Sequence, residues 1–154
     1  MLTSFFTVPE NFVVPIVMRG TAFKDSFDNS DLSIYSWNIA GTTVFDKGIL
    51  TDFMNQVQPD IMCLNEIKTD PDKIDKKKLN LRLPAGYISY WNCSKAKLGY
   101  SGTAIITKVK PLSVRFDFGV EHTTEGRSIT MEFSHFVLVA AYVPNAGEGL
   151  KRLD

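Results

Sequence analysis

Apolar residues first fall into a regular order at Leu32. Leu32 to Trp37 is a short β-prone run, and Asn38-Ile39-Ala40-Gly41 breaks it. From Asp46 to Gln58 the period changes. Ile49, Leu50, Phe53, Met54 and Val57 recur at helical spacing, and Pro59 stops the run, so a helix over 46–58 is expected. Residues 60–65, DIMCLN, form a continuous apolar stretch of the kind buried on both faces of a sheet. A lysine-rich stretch follows within 68–83 and reads as a loop and an exposed helix. Strands are then expected at Gly86–Trp91, Thr103–Thr107, Arg127–Phe133 and Phe136–Tyr142, the last two joined in a hairpin at Ser134-His135. Helix and strand alternate early and antiparallel strands come later, which is α/β architecture with a mixed sheet flanked by helices. DIMCLN, TAIIT and FVLVAAY are apolar at both alternating positions, so neither face of these strands is written for water.

Residues 1–31 lack such order. Pro9, Glu10 and Pro15 interrupt their apolar stretches, and they are expected to be a poorly specified leader outside the fold. The leader is neither arginine-rich nor acid-poor, unlike an organelle-targeting peptide. At the other end, Leu150 and Leu153 are spaced for a helix face with no cap or glycine stop, so the chain is expected to end inside an element. The domain is therefore expected at residues 32–154, truncated at its C-terminus.

Composition changes this picture little. At 154 residues, 44% hydrophobic and 22% charged, the chain is long enough for one domain with a real core. Seventeen basic and seventeen acidic residues cancel, whereas a dedicated nucleic-acid-binding domain is usually basic. The distribution is uneven, however. Lys95, Lys97, Lys108, Lys110 and Arg115 occur in one stretch with no acid among them. Cys63 and Cys93 fit no metal spacing; Cys63, in an apolar run, reads as a small buried hydrophobe. No apolar run approaches the roughly 18–20 residues of a membrane-spanning helix, so no membrane partner is expected.

Chemistry is sought where polar residues directly follow apolar strands, because strand ends are held rigidly at the rim of a sheet. Asn38, Glu66, Tyr142 and Asn145 occupy such places. Each alone has a structural explanation: a turn residue, a solvated carboxylate, amphipathic packing. Together, one carboxylate, amides and a phenol at neighbouring strand ends can gather around a phosphate.

Five strings occur in order: Ser36-Trp37-Asn38-Ile39, residues 59–68 (PDIMCLNEIK), Gly99-Tyr100-Ser101-Gly102, Glu125-Gly126-Arg127 and residues 142–147 (YVPNAG). In register they resemble the successive motifs of the exonuclease III-type apurinic/apyrimidinic endonucleases, within the endonuclease–exonuclease–phosphatase superfamily. The resemblance runs from about Leu32 to Asp154 and corresponds to the amino-terminal half of a family domain. It implies half of a four-layered α/β sandwich, in which this chain supplies one sheet with its helices. It also implies a DNA repair hydrolase that cuts the phosphodiester 5′ to an abasic site in double-stranded DNA. The implied cofactor is magnesium, with manganese as the alternative.

The same resemblance implies the residue roles. Glu66 is similar to the family's magnesium-binding glutamate, and Asn38 to the asparagine supporting the metal and phosphate. Tyr142 resembles the active-site tyrosine, Asn145 a residue beside the phosphate, and Tyr100 and Arg127 contacts to the DNA backbone. Lys68 adds charge at the same rim. The sequence also departs from the pattern. Ala40 stands where many eukaryotic members have a further acidic ligand, Asn65 where glutamine is customary, and Glu148 where a basic residue often contacts DNA. The family's later Gly-Asp-x-Asn and Ser-Asp-His strings do not occur in this chain, and surface positions account for His122 and His135. The resemblance thus implies a missing C-terminal half as partner and a 154-residue chain inactive alone. It implies a nuclear location in a eukaryote, with the mitochondrion as alternative. A superfamily phosphatase, a non-catalytic DNA-binding remnant and a truncated gene product remain open alternatives.

Overall fold

The structure, a computed structural model, describes residues 13–19, 31–117 and 124–150. Its elements in chain order are β1 (Val13–Arg19), β2 (Asp31–Asn38), α1 (Thr43–Asp46), α2 (Ile49–Val57), β3 (Ile61–Asn65), α3 (Pro71–Lys76), β4 (Ile88–Asn92), β5 (Thr103–Thr107), β6 (Ser113–Phe116), β7 (Ser128–Glu132) and β8 (Val137–Ala141). Five strands form one sheet in the order β1-β2-β3-β5-β4, and three form another in the order β6-β7-β8. The first sheet is mixed: β2 and β3 run parallel, linked through the helices, while its other neighbours are antiparallel.

The expected helix over 46–58 is two helices. Gly48 takes φ 73°, in the left-handed region open to glycine, and separates α1 from α2. Gln58 closes α2 in the same conformation, its N–H reaching the Met54 carbonyl at 2.8 Å. Lysine-rich residues 68–83 are less exposed than their composition suggests. Asp70 caps α3 by accepting from the Lys73 N–H at 2.9 Å, and Ile74 and Leu79 are buried.

Two apolar layers lie on opposite faces of the five-stranded sheet. On one, Leu50, Phe53 and Met54 of α2 pack with Trp37, Met62, Leu64 and Ile106. On the other, Leu32, Ile34, Ile61, Cys63 and Ile105 meet Ile129, Met131 and Ala140 of the three-stranded sheet. Strands β3 and β5 are therefore buried on both faces, as their unbroken apolar runs require.

Three expectations are corrected here. The chain supplies two sheets packed face to face rather than one, because β7 and β8 turn an apolar side onto Cys63 and Ile105. FVLVAAY is covered on one face only, since Val137 and Val139 are 58% and 49% exposed. Part of the supposed leader lies in the sheet: β1 pairs antiparallel with β2 from Val13 opposite Trp37 to Arg19 opposite Asp31. Pro15 had argued against a strand, but an edge strand tolerates a missing N–H. The remainder of 1–31, apart from Asp31 in β2, lies outside the described residues. So do residues 151–154 and the helix expected there; Glu148–Leu150 is a short 3-10 turn. The hairpin forms as read, with Glu132 opposite Val137 and the Phe133 N–H on the Phe136 carbonyl at 2.9 Å.

Candidate phosphate and metal site at the sheet rim

Parallel pairing sets Asn38, the last residue of β2, beside Asn65, the last of β3. Glu66 follows immediately with φ 53°, and Lys68 has φ 44°. Left-handed backbone at non-glycine residues costs on the order of 1–3 kcal/mol each and persists where its surroundings hold it. The holding contacts are visible. The Ile67 and Lys68 N–H groups donate to the Gly102 and Ser101 carbonyls at 3.2 and 2.9 Å, and the Ile67 side chain is fully buried. Ile67 is thereby pinned inward, and the polar side chains on either side of it meet at the rim.

Glu66 gathers three donors. Its Oε1 accepts from Asn38 Nδ2 at 2.8 Å, its Oε2 faces Lys68 Nζ at 2.8 Å, and the Tyr142 hydroxyl donates to the same carboxylate. Lys68 above all, then Asn38 and Tyr142, hold the carboxyl down at about 2 against the opposing effect of partial burial. Partial burial, followed by the Glu66 contact, pushes the Tyr142 phenol above its ordinary range. Asn38 is oriented in turn, because its Oδ1 accepts from the Ala40 N–H at 3.1 Å.

The second sheet brings the remaining residues. Tyr142 leaves β8 beside Arg127, its N–H on the Arg127 carbonyl at 2.8 Å. The Arg127 guanidinium lies 5.2 Å from the Tyr142 ring centre and 5.6 Å from that of Tyr100. Arg127 Nη2 donates to the Tyr100 hydroxyl at 3.0 Å, and Nε pairs with Glu125. Its buried Nη1 has no protein acceptor. Asn38, Glu66, Lys68, Tyr100, Arg127 and Tyr142 thus form one continuous constellation. Asn145 is exposed, and its Oδ1 accepts from the Gly147 N–H at 2.8 Å and shapes the turn after β8.

Sequence reading missed the supports of this site. Glu125 clamps Arg127. Asn92 ties the two sheets, donating from Nδ2 to Asp117 Oδ1 at 2.8 Å and to the Ser128 carbonyl at 2.9 Å. Thr103 Oγ1 adds a bond to the Gly126 carbonyl at 3.1 Å. A Cβ on Gly126 would stand 2.5 Å from the Asn92 carbonyl oxygen, so the glycine between Glu125 and Arg127 allows the sheets to approach. The sequence shows only a Gly between two charged residues; its φ of 66° and the reason for it come from the fold. His135 lies exposed in the hairpin, away from these residues, and His122 is outside the described residues.

The donor set can be tested against a divalent ion. Among the described residues no three carboxylate, imidazole or thiol groups converge as a ready-made metal cage. One carboxylate with one amide oxygen suits a hard cation that keeps most of its water and takes further oxygen from phosphate. The residues fit an ion of that kind, with Glu66 as its anionic ligand.

Comparison with known proteins agrees with the motifs. A DNA-(apurinic or apyrimidinic site) endonuclease of Dictyostelium discoideum is 39% identical over 130 residues, 82% of this chain and 34% of that protein. A DNA repair nuclease of Danio rerio is 41% identical over 126 residues, 81% of this chain and 40% of its own length. The crystal structure of an AP endonuclease from Leishmania major superposes with a TM-score of 0.67 at 32% identity, covering 92% of this chain and 48% of that one. The likeness to apurinic/apyrimidinic endonucleases is borne out, and the chain spans less than half the length of these relatives. Among the described residues no helix is long and apolar enough to cross a membrane. The model of the Endonuclease/Exonuclease/phosphatase family matches residues 35–149, a stretch that includes the whole rim from Asn38 to Asn145, and the chain belongs to that family.

Proposed function

We propose that this chain carries the metal- and phosphate-binding half of a magnesium-dependent phosphodiesterase that cuts DNA 5′ to an abasic sugar. One observation carries the reading. A single carboxylate, Glu66, is kept ionised at a sheet rim by Lys68, Asn38 and Tyr142, directly beside the Arg127–Tyr100 pair. Glu66 and Asn38 would hold the ion; magnesium, or manganese in its place, would offset the charge that grows on the phosphate. Arg127 presents a guanidinium whose planar fork suits phosphate oxygens, held by a bond to the Tyr100 hydroxyl with the Tyr142 ring centre 5.2 Å away. Tyr142 carries a proton that it donates to Glu66 here and can donate to a phosphate oxygen instead. Lys68, 41% exposed, neutralises Glu66 and adds positive charge at the rim.

Nothing in this set orients the attacking water or protonates the leaving oxygen. Such general acid–base groups are commonly worth ~10²–10⁴ in rate, so the 154-residue chain alone is expected not to incise an abasic duplex. The test joins this chain to the second half of a relative and measures incision of an abasic-site duplex with magnesium. Glu66→Gln should weaken metal dependence and be partly rescued by excess metal. Tyr142→Phe should leave metal dependence alone and slow the chemical step. Incision indifferent to both substitutions would show that the site is elsewhere.

A further inference from the structure

The layer between the two sheets ends at the rim in two side chains whose hydrogen bonding is incomplete. Alternation along the strands fixes which residues face this layer. Ile61 and Cys63 of β3 lie in it, so Asn65 turns the same way. Ile129 and Met131 of β7 lie in it, so Arg127, two residues before Ile129, turns back toward the first sheet. Contacts on either flank bring the two residues together. Thr103 stands opposite Asn65 in the pairing of β3 with β5, and its Oγ1 reaches the carbonyl of Gly126, the residue before Arg127, at 3.1 Å. On the other flank the Tyr142 N–H bonds the Arg127 carbonyl, and the Tyr142 hydroxyl reaches Glu66, the residue after Asn65. Between these two ties the Arg127 side chain lies over the end of β3, at Asn65.

What each side chain lacks the other supplies. Arg127 commits Nε to Glu125 and Nη2 to the Tyr100 hydroxyl, which leaves Nη1 a buried donor without a protein acceptor. Asn65 Oδ1 is a buried acceptor without a protein donor. Nη1 is sealed from solvent, so it faces inward and is not the nitrogen that meets a phosphate. Buried donors and acceptors are satisfied nearly everywhere in native proteins, by protein groups or by ordered water. No direct bond joins these two atoms, and a polar site offering one donor and one acceptor suits a water. We infer that Asn65 is a positioning residue for Arg127: one buried water accepts from Arg127 Nη1, donates to Asn65 Oδ1, and ties the guanidinium to the end of β3. Glu125, Tyr100 and Asn65 then hold the three nitrogens and fix the plane of the group. Each Nη carries two hydrogens, so Nη2 keeps one to offer outward. Resting on the phosphodiesterase reading above, Asn65 thereby sets the direction in which Arg127 meets a substrate phosphate.

The experiment is nitrogen-15 NMR of the arginine side chains in the 154-residue chain, with the Arg127 signals identified by their loss in Arg127→Lys. In the unaltered chain, rotation about the Arg127 Nε–Cζ bond should be slow enough to resolve Nη1 from Nη2. The Nη1 hydrogens should also show a cross-peak to a long-lived water. Asn65→Leu, similar in shape but without an acceptor, should abolish that cross-peak and speed the rotation about tenfold, as expected for the loss of a charge-assisted hydrogen bond. Asn65→Gln retains an amide oxygen and should keep the rotation slow, a rescue that a merely space-filling role would not show. Slow rotation persisting in Asn65→Leu would overturn the assignment. So would an unaltered chain whose Nη1 meets no long-lived water, a result that needs no substitution to fold. Fluorescence anisotropy with an abasic-site duplex at low salt separates this inference from the reading beneath it. Asn65→Leu should bind severalfold more weakly and Asn65→Gln like the unaltered chain. An unaltered chain that holds the water at Nη1 yet binds no duplex would support the positioning of Arg127 and overturn the phosphodiesterase reading alone.

Discussion

The two faces of the five-stranded sheet are finished to different degrees. On the helix side α2 and the 79–82 turn close over Leu64, Met62 and Ile106, all fully buried, and the aromatic rings of Trp37 and Phe53 lie 5.8 Å apart. On the other side the three-stranded sheet covers Cys63 and Ile105, yet its own far face shows Val137 and Val139 to solvent. The first region is a self-contained core. In the second, only the layer between the sheets is closed.

Substitutions that separate the two regions sharpen the comparison. The largest effect is expected from Leu64→Ala, which empties a fully buried site between sheet and helix. A loss of about 3–4 kcal/mol in denaturant unfolding follows from the removed methyl groups plus the residual cavity. Val139→Ala, on the exposed face of β8, should stay within about 0.5 kcal/mol. Equal losses at the two positions would mean that the outer face is as well packed as the inner one.

Next comes the seam between the sheets. Gly126→Ala places a Cβ against the Asn92 carbonyl and forces alanine to φ 66°. About 2–3 kcal/mol of destabilisation is expected. The loss should come with a displaced Arg127, read as a changed environment of the neighbouring Tyr100 and Tyr142 rings by near-ultraviolet circular dichroism.

A smaller effect is the response to alkaline pH. Burial pushes the Cys63 thiol from 9.0 up to about 12, so the folded state keeps its proton where the unfolded chain releases it. This contribution is fully present below pH 9 and is lost as pH rises from there toward 12. It should lower stability by about 1 kcal/mol at pH 10. Cys93, pushed to about 11 by burial and then by Asp70, acts in the same direction. Replacing Cys63 with valine should remove its share, and urea unfolding of both forms at pH 8 and pH 10 decides. An identical pH dependence in the variant would mean that Cys63 is not sealed between the sheets.

The smallest expected change in stability carries the clearest change in association. Val137→Lys with Val139→Lys should leave the unfolding midpoint nearly where it was, while charging the exposed apolar edge of β8. The unaltered chain is expected to self-associate through this face or bind a hydrophobic dye, and the double variant to do so much less. A unaltered chain that elutes as a dilute, dye-silent monomer would remove the distinction between the two faces.

The sequence by itself determined a good deal. The unbroken apolar runs at 60–65 and 103–107 announced strands buried on both faces, because only such strands lack a water-facing alternate position. The polar residues just after strands marked the rim, where Asn38, Glu66 and Tyr142 do meet; Lys68, Tyr100 and Arg127, which came with the motif resemblance, join them, and Asn145 lies in the turn after β8. Period and strand ends are local properties, written in neighbouring residues. Tertiary structure alone decided what depends on distant approach. Pro15 hid β1 until an edge position made its missing N–H harmless. Short, half-polar β6 had too little alternation to be seen. The second sheet's packing on Cys63, the clamp of Glu125 on Arg127 and the bond from Asn92 to Ser128 join residues far apart in the chain, and no periodicity records them. The left-handed backbone at Glu66 and Lys68 belongs to the same class. Local preference disfavours it, and it stands because Ile67 is buried and the Ser101 and Gly102 carbonyls, just before β5, accept both N–H groups.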